Sequence, residues 1–148
     1  MKSRLSSFIF SVLAILVIIA YSPVFAEDKA AVPDAKADVK PAGFTISRFV
    51  VATDVQAREP VSVVDTFPAS TDKVYCFLEA ADVIEETTVE CVWYLNNAQM
   101  RASTLSLSKG SRWRTYANKT VAGQRGDWRV DLRDAKGTIL KSVSFKVE

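Results

Sequence analysis

Between residues 127 and 133 the chain runs Asp-Trp-Arg-Val-Asp-Leu-Arg, with apolar and charged side chains in strict alternation. Successive side chains of a strand point to opposite faces, so this segment predicts a strand with Trp128, Val130 and Leu132 toward a core and its charges in water. Asp134-Ala135-Lys136-Gly137 then supplies a turn, and Ile139, Val143, Phe145 and Val147 put an apolar set on one side of a returning strand. Further candidate strands cover 44–53, 62–66, 73–80, 88–95, 99–108 and 111–118, separated by turn signals such as Phe67-Pro68, Asn96-Asn97 and Lys109-Gly110. No helical period is sustained anywhere from 44 onward. Seven or eight mostly antiparallel strands at this spacing predict an all-β domain over 44–148, an immunoglobulin-like β-sandwich.

Two segments are apolar on both faces. Tyr75 and Phe77 oppose Val74, Cys76 and Leu78, while Val92 and Tyr94 oppose Val89, Cys91, Trp93 and Leu95, so both strands are expected to be central or covered. Val83-Ile84 sits in an acidic connection between Asp82 and Glu85-Glu86, and is expected to be core under that loop.

The N-terminus follows a different pattern. Lys2 and Arg4 precede an apolar stretch over 8–20, followed by Tyr21-Ser22-Pro23 and then Val24-Phe25-Ala26. This predicts a secretory signal peptide over 1–26, cut after Ala26, and export to a periplasmic or extracellular compartment. The alternative is an uncleaved membrane anchor. Residues 27–43 are rich in Ala, Lys, Asp and Pro with no aromatic side chain, and read as a flexible leader.

Composition narrows the chemistry. Apolar residues make up 49% of the 148 and charged residues 24%, which suits a packed core, while histidine is absent. Without imidazole, Ser-His and Cys-His nucleophile pairs and the common zinc ligand sets have no basis, so no metal and no cofactor are expected. The net charge of +2 resides in Lys2 and Arg4, so nucleic acid is not an expected partner. Residues 27–90 hold 6 basic and 13 acidic side chains and residues 91–148 hold 11 and 4, and the halves are expected to interleave and neutralise each other.

Cys76 and Cys91 are the only cysteines and fall on successive candidate strands. In an exported chain they predict a structural disulfide, near each other if the two strands form a hairpin; the alternative, a redox pair, lacks a CxxC spacing. Glu79, Asp82, Glu85, Glu86 and Glu90 offer carboxylates for a histidine-free hydrolase, with no pair singled out by spacing. Trp93, Trp113 and Trp128 are expected in the core. Arg112, Arg114, Arg129 and Arg133 alternate away from those tryptophans, and with Tyr116 they form the candidate binding face for a carboxylate, a phosphate or an acidic partner.

The order of segments resembles a bacterial family known as domain of unknown function 2914. The pieces are Val55-Gln56-Ala57-Arg58-Glu59-Pro60 followed by Phe67, then Val74-Tyr75-Cys76-Phe77, Val92-Trp93-Tyr94, Trp113-Arg114-Thr115-Tyr116, Gly126-Asp127-Trp128-Arg129-Val130 and residues 140–147. The resemblance implies an exported or envelope module and brings no catalytic residue with it. Cys91 departs from the family pattern, where histidine is common, which would make the disulfide particular to this chain. The expected function is a non-catalytic binding module of the cell envelope acting through protein–protein contact on an envelope protein or anionic polymer. A glycan-binding module, which would need a surface row of aromatic rings, and the carboxylate hydrolase are the alternatives.

Overall fold

The computed structural model describes residues 43–148. The expected signal peptide over 1–26, and all but the last residue of the 27–43 leader, lie outside the described residues. Within them the chain is all strand and turn. The strands are β1 (Thr45–Gln56), β2 (Glu59–Val63), β3 (Thr66–Phe67), β4 (Lys73–Val83), β5 (Thr87–Leu95), β6 (Ala98–Leu107), β7 (Gly110–Thr120), β8 (Gly126–Arg133) and β9 (Ile139–Val147). They form a four-stranded sheet in the order β2-β1-β4-β7 and a five-stranded sheet in the order β3-β9-β8-β5-β6. Every ladder is antiparallel except the short parallel pairing of β3 with β9.

The sandwich expected from the alternation is therefore present, with one strand more than the sequence predicts. The segment 62–66, read as one strand, is two. Ser62 adopts φ +52°, Val64 and Asp65 carry the chain across, and Thr66-Phe67 joins the opposite sheet beside Lys146 and Val147. The chain also changes sheet between β4 and β5 and between β7 and β8, and a short crossing after Leu107 takes it from the β6 edge to the β7 edge, so both lateral seams of the sandwich are spanned by described residues.

The interior is the set that alternation selects. Phe49, Val51, Val74, Cys76 and Leu78 of one sheet meet Cys91, Trp93, Trp128, Val130, Leu132 and Phe145 of the other. Phe145 sits between indoles, stacked on Trp128 at 5.9 Å and edge-on to Trp93 at 6.4 Å. Such large rings are the main apolar payload of a domain this size. The doubly apolar strands are internal, β4 between β1 and β7, and β5 between β8 and β6. Val83 is buried as expected, whereas Ile84 is 64% exposed, because the acidic connection turns outward once Asp82 adopts φ +54°.

Hairpin turns follow their chemistry. Ala57-Arg58 and Asn96-Asn97 all have positive φ, the conformation a two-residue turn needs to match strand twist. The second turn is locked in place: Asn96 N–H donates to Asp127 O at 2.8 Å, and Asp127 N–H donates to Asn96 Oδ1 at 3.1 Å. Gly126 allows this approach. Its φ is +137°, and a Cβ there would fall 2.7 Å from Asn96 Oδ1.

Candidate functional site

The structure divides the arginine face proposed from the sequence. Arg112, Arg114 and Tyr116 lie on β7 and project from the outer face of the four-stranded sheet, whereas Arg129 and Arg133 lie on β8 and project from the outer face of the five-stranded sheet. The two groups stand on opposite sides of the molecule. Alternation was right for each strand taken alone, but sheet membership is decided by long-range pairing: β7 with β4, and β8 with β5.

On the four-stranded sheet the hub is Glu79. Its Oε2 accepts from Arg112 Nη2 at 2.9 Å, Arg114 Nε at 3.1 Å and Arg48 Nη2 at 3.2 Å. Glu59 joins the same cluster, at 2.6 Å from Arg48 and 2.5 Å from Arg114. Glu59 pairs in register with Gln56, which along a straight strand would lie roughly 26 Å from Arg48 at about 3.3 Å per residue. The contact shows that the β1–β2 hairpin curls back over the sheet. Consistently, the β1 ladder to β4 ends at Ala52–Tyr75, while β4 runs on beside β7 to Lys73. Beneath the cluster Phe77 is fully buried on what would otherwise be an outer face, with the Arg48 guanidinium 4.9 Å from its ring centre.

These contacts set the charge states. The hydrogen bond from Arg48, with Arg114 and Arg112 nearby, holds the Glu59 carboxyl below the usual glutamate range, and that from Arg112 does the same for Glu79. The Arg48 pKa is raised in turn, chiefly by its hydrogen bond to Glu59. Each partner is thus held in the form it already has at neutral pH. The cluster also joins the acidic first half of the chain to the basic second half, as the charge split predicts. Tyr116, 44% exposed, stands beside it with its ring 6.0 Å from Tyr75.

On the five-stranded sheet the hub is Asp131, which points outward yet is only 1% exposed. Its Oδ1 accepts from the Ser142 hydroxyl at 2.7 Å and stands 3.0 Å from Arg129 Nε; its Oδ2 is 3.8 Å from Arg133 Nη2 and takes no hydrogen bond within the chain. Both guanidiniums lie over the Tyr94 ring, at 4.6 Å for Arg129 and 5.9 Å for Arg133, and Arg133 Nη2 donates to the Tyr94 hydroxyl at 2.5 Å. Among the described residues no strand covers this cluster. Beside it, toward the Asn96-Asn97 turn, a cleft of about 540 Å³ opens between Asp65, Asp127, Arg129, Ser144 and Lys146.

The remaining sequence candidates are dispersed. Trp93 and Trp128 are in the core, and the half-buried Trp113 spends its indole N–H on Ser106 O at 2.9 Å, so the three form no surface row of rings. Glu79 is held by arginines on one outer face, Glu90 lies on the opposite sheet, Asp82 is exposed near the end of β4, and Glu85 and Glu86 are exposed on the connection between β4 and β5. Cys76 and Cys91 do not flank a hairpin. They sit on β4 and β5 in different sheets, both fully buried as thiols in one core cluster, and the neighbouring Cys76 together with burial pushes the Cys91 pKa up.

Residues 86–147 match the family described as Protein of unknown function (DUF2914). The DUF2914 match takes in β5 to β9, and with them Val92-Trp93-Tyr94, Trp113-Arg114-Thr115-Tyr116 and Gly126-Asp127-Trp128-Arg129-Val130. Val55-Gln56-Ala57-Arg58-Glu59-Pro60 and Val74-Tyr75-Cys76-Phe77, which also carried the resemblance, lie outside it. Tyr94, Arg129, Asp131, Arg133 and Ser142 all fall within the DUF2914 segment, while Arg48, Glu59 and Glu79 precede it. No curated protein matches the chain. Among solved structures, the C-terminal domain of Wzt is similar in fold, with a TM-score of 0.50 and 10% identity over 74% of this chain and 76% of that one. A β-glucosidase mutant from Listeria innocua in complex with laminaribiose gives a TM-score of 0.45 at 6% identity over 71% of this chain, and a β-glucosidase from Kluyveromyces marxianus gives 0.42 at 14% over 68%. This chain spans only 16% and 14% of those two enzymes.

Proposed function

We propose that the domain is a non-catalytic binding module of an exported protein, and that it meets a partner protein through the outer face of the five-stranded sheet. The observation that carries this reading is the Arg129–Arg133 pair. Two guanidiniums are held over Tyr94 and above a buried carboxylate, on a face that no part of the described chain covers. Arginine and tyrosine are the residue types that dominate interface energetics, and a guanidinium already fixed by its own contacts loses little freedom when it takes a carboxylate from a partner.

The test is capture from an envelope extract by three forms of the full chain: wild type, R129A/R133A and R112A. The reading expects one protein to be retained by wild type and R112A and lost from R129A/R133A. Equal retention by all three removes the proposed face, and turnover of a substrate by the purified chain, abolished by changing a single polar residue, removes the binder.

A further inference from the structure

The pair Cys76 and Cys91 does something different from what adjacency on successive strands implies. Cys76 shares its inward parity with Val74 and Leu78, and Cys91 shares its own with Val89 and Trp93, so each thiol points into the core from its own sheet. Both belong to one core cluster with neither exposed to solvent, and Cys76 is near enough to act on the Cys91 thiol. We propose that Cys76 and Cys91 close a disulfide that bolts the two sheets together through the core, and that this bond forms while the chain is still open and is sealed once the sheets pack.

The order of events follows from the chemistry of exchange. A thiolate is the attacking species, and an oxidant must reach it in line. In the packed domain Cys91 is held protonated, first by its hydrogen bond with Cys76 and then by burial, and neither sulfur has a path to solvent. In the open chain both are ordinary thiols. With oxidised glutathione as oxidant, one thiolate attacks the glutathione disulfide, forming a mixed disulfide and expelling one glutathione thiolate. The second thiolate then attacks the protein sulfur of that mixed disulfide, closes Cys76–Cys91 and expels the other. Two protons leave the cysteines and two glutathione thiols are produced, so two electrons pass from protein to glutathione. The same burial that blocks oxidation of the folded dithiol shields the finished bond from small reductants.

The experiment uses the full chain in two arms with oxidised glutathione. In the first, reduced and denatured protein is refolded in its presence; in the second, protein folded with both thiols reduced receives the same dose. After quenching and denaturation, free thiols are alkylated and counted by mass. The expected result is no alkylation and a monomer lighter by two hydrogens in the first arm, with oxidation at least about tenfold slower in the second. Addition of dithiothreitol to the oxidised native protein should leave the bond intact until denaturant is added. Two alkylated thiols in the first arm, or disulfide-linked dimers there, overturn the bond. Equal rates in the two arms, or prompt reduction of the native protein, overturn the sealing. A C76A/C91A chain that keeps its β-sheet circular dichroism but melts below the oxidised form separates the bond from the fold.

Discussion

The two outer faces of the sandwich assemble the same parts in different ways. Each has a carboxylate hub, arginines around it and an aromatic ring beneath a guanidinium: Glu79 with Arg48, Arg112 and Arg114 over Phe77, and Asp131 with Arg129 and Arg133 over Tyr94. On the first face a second carboxylate, Glu59, arrives on a hairpin from the same chain and takes up the spare guanidinium valence. On the second no described segment arrives, and among the described residues Asp131 Oδ2 and the Nε atoms of both arginines find no hydrogen-bond partner. The difference teaches that an arginine-rich sheet face is not by itself a site. What separates the observed clamp from the face proposed for binding is whether the described chain supplies a second carboxylate.

The sharpest way to break this comparison is to remove the buried hub. Asp131→Ala leaves two guanidiniums over a site with no counter-charge and strips the Ser142 hydroxyl of its acceptor, and should cost about 3–5 kcal/mol in urea unfolding. A loss below about 1 kcal/mol would mean that the carboxylate does not hold the pair. Glu79→Gln should cost less, about 1.5–3 kcal/mol, since it weakens charged hydrogen bonds that are partly open to water. Its damage should fall on the hairpin, with faster amide exchange over 55–63 and no change around Tyr94. The smallest effect is that of acid. Glu59 and Glu79 have folded pKa values below the ordinary 4.5, so the stability they contribute is complete above 4.5 and is lost as pH falls through the depressed values. Melting temperature should therefore decline below about pH 4.5, with the β1–β2 amides exchanging first. A flat profile down to pH 3 would discard the clamp.

Much of the architecture was legible because it is written locally. The β8–β9 hairpin needs only the alternation of residues 127–133, a turn ending in Gly137 at φ +83°, and an apolar set on the return strand. The core tryptophans Trp93 and Trp128 follow from the same periodicity. What could not be read is which sheet a strand joins. Arg114 and Arg129 both alternate away from an indole, yet the partners of β7 and β8 are set by pairings far apart in the chain. That Cys76 and Cys91 face each other from different sheets rather than across a hairpin was hidden for the same reason, since a turn that reverses direction and one that changes sheet look alike between residues 83 and 87. Glu79 was overlooked as a hub, although a signal for it exists. A lone acid on a strand that is otherwise apolar on both faces must find cations wherever that strand is covered.

Trp113 joins β7 to a backbone carbonyl of β6 across one lateral seam, and on the other side Lys146 N–H donates to Asp65 O at 2.8 Å where the chain crosses. Over the described residues the two sheets are thus joined along both sides by a short crossing and a hydrogen bond. Plates of this length with bare margins would invite neighbouring molecules to add strands and grow into fibrils. Here the Trp113 indole, packed against the core, takes one of those margin carbonyls for itself and holds β7 beside β6.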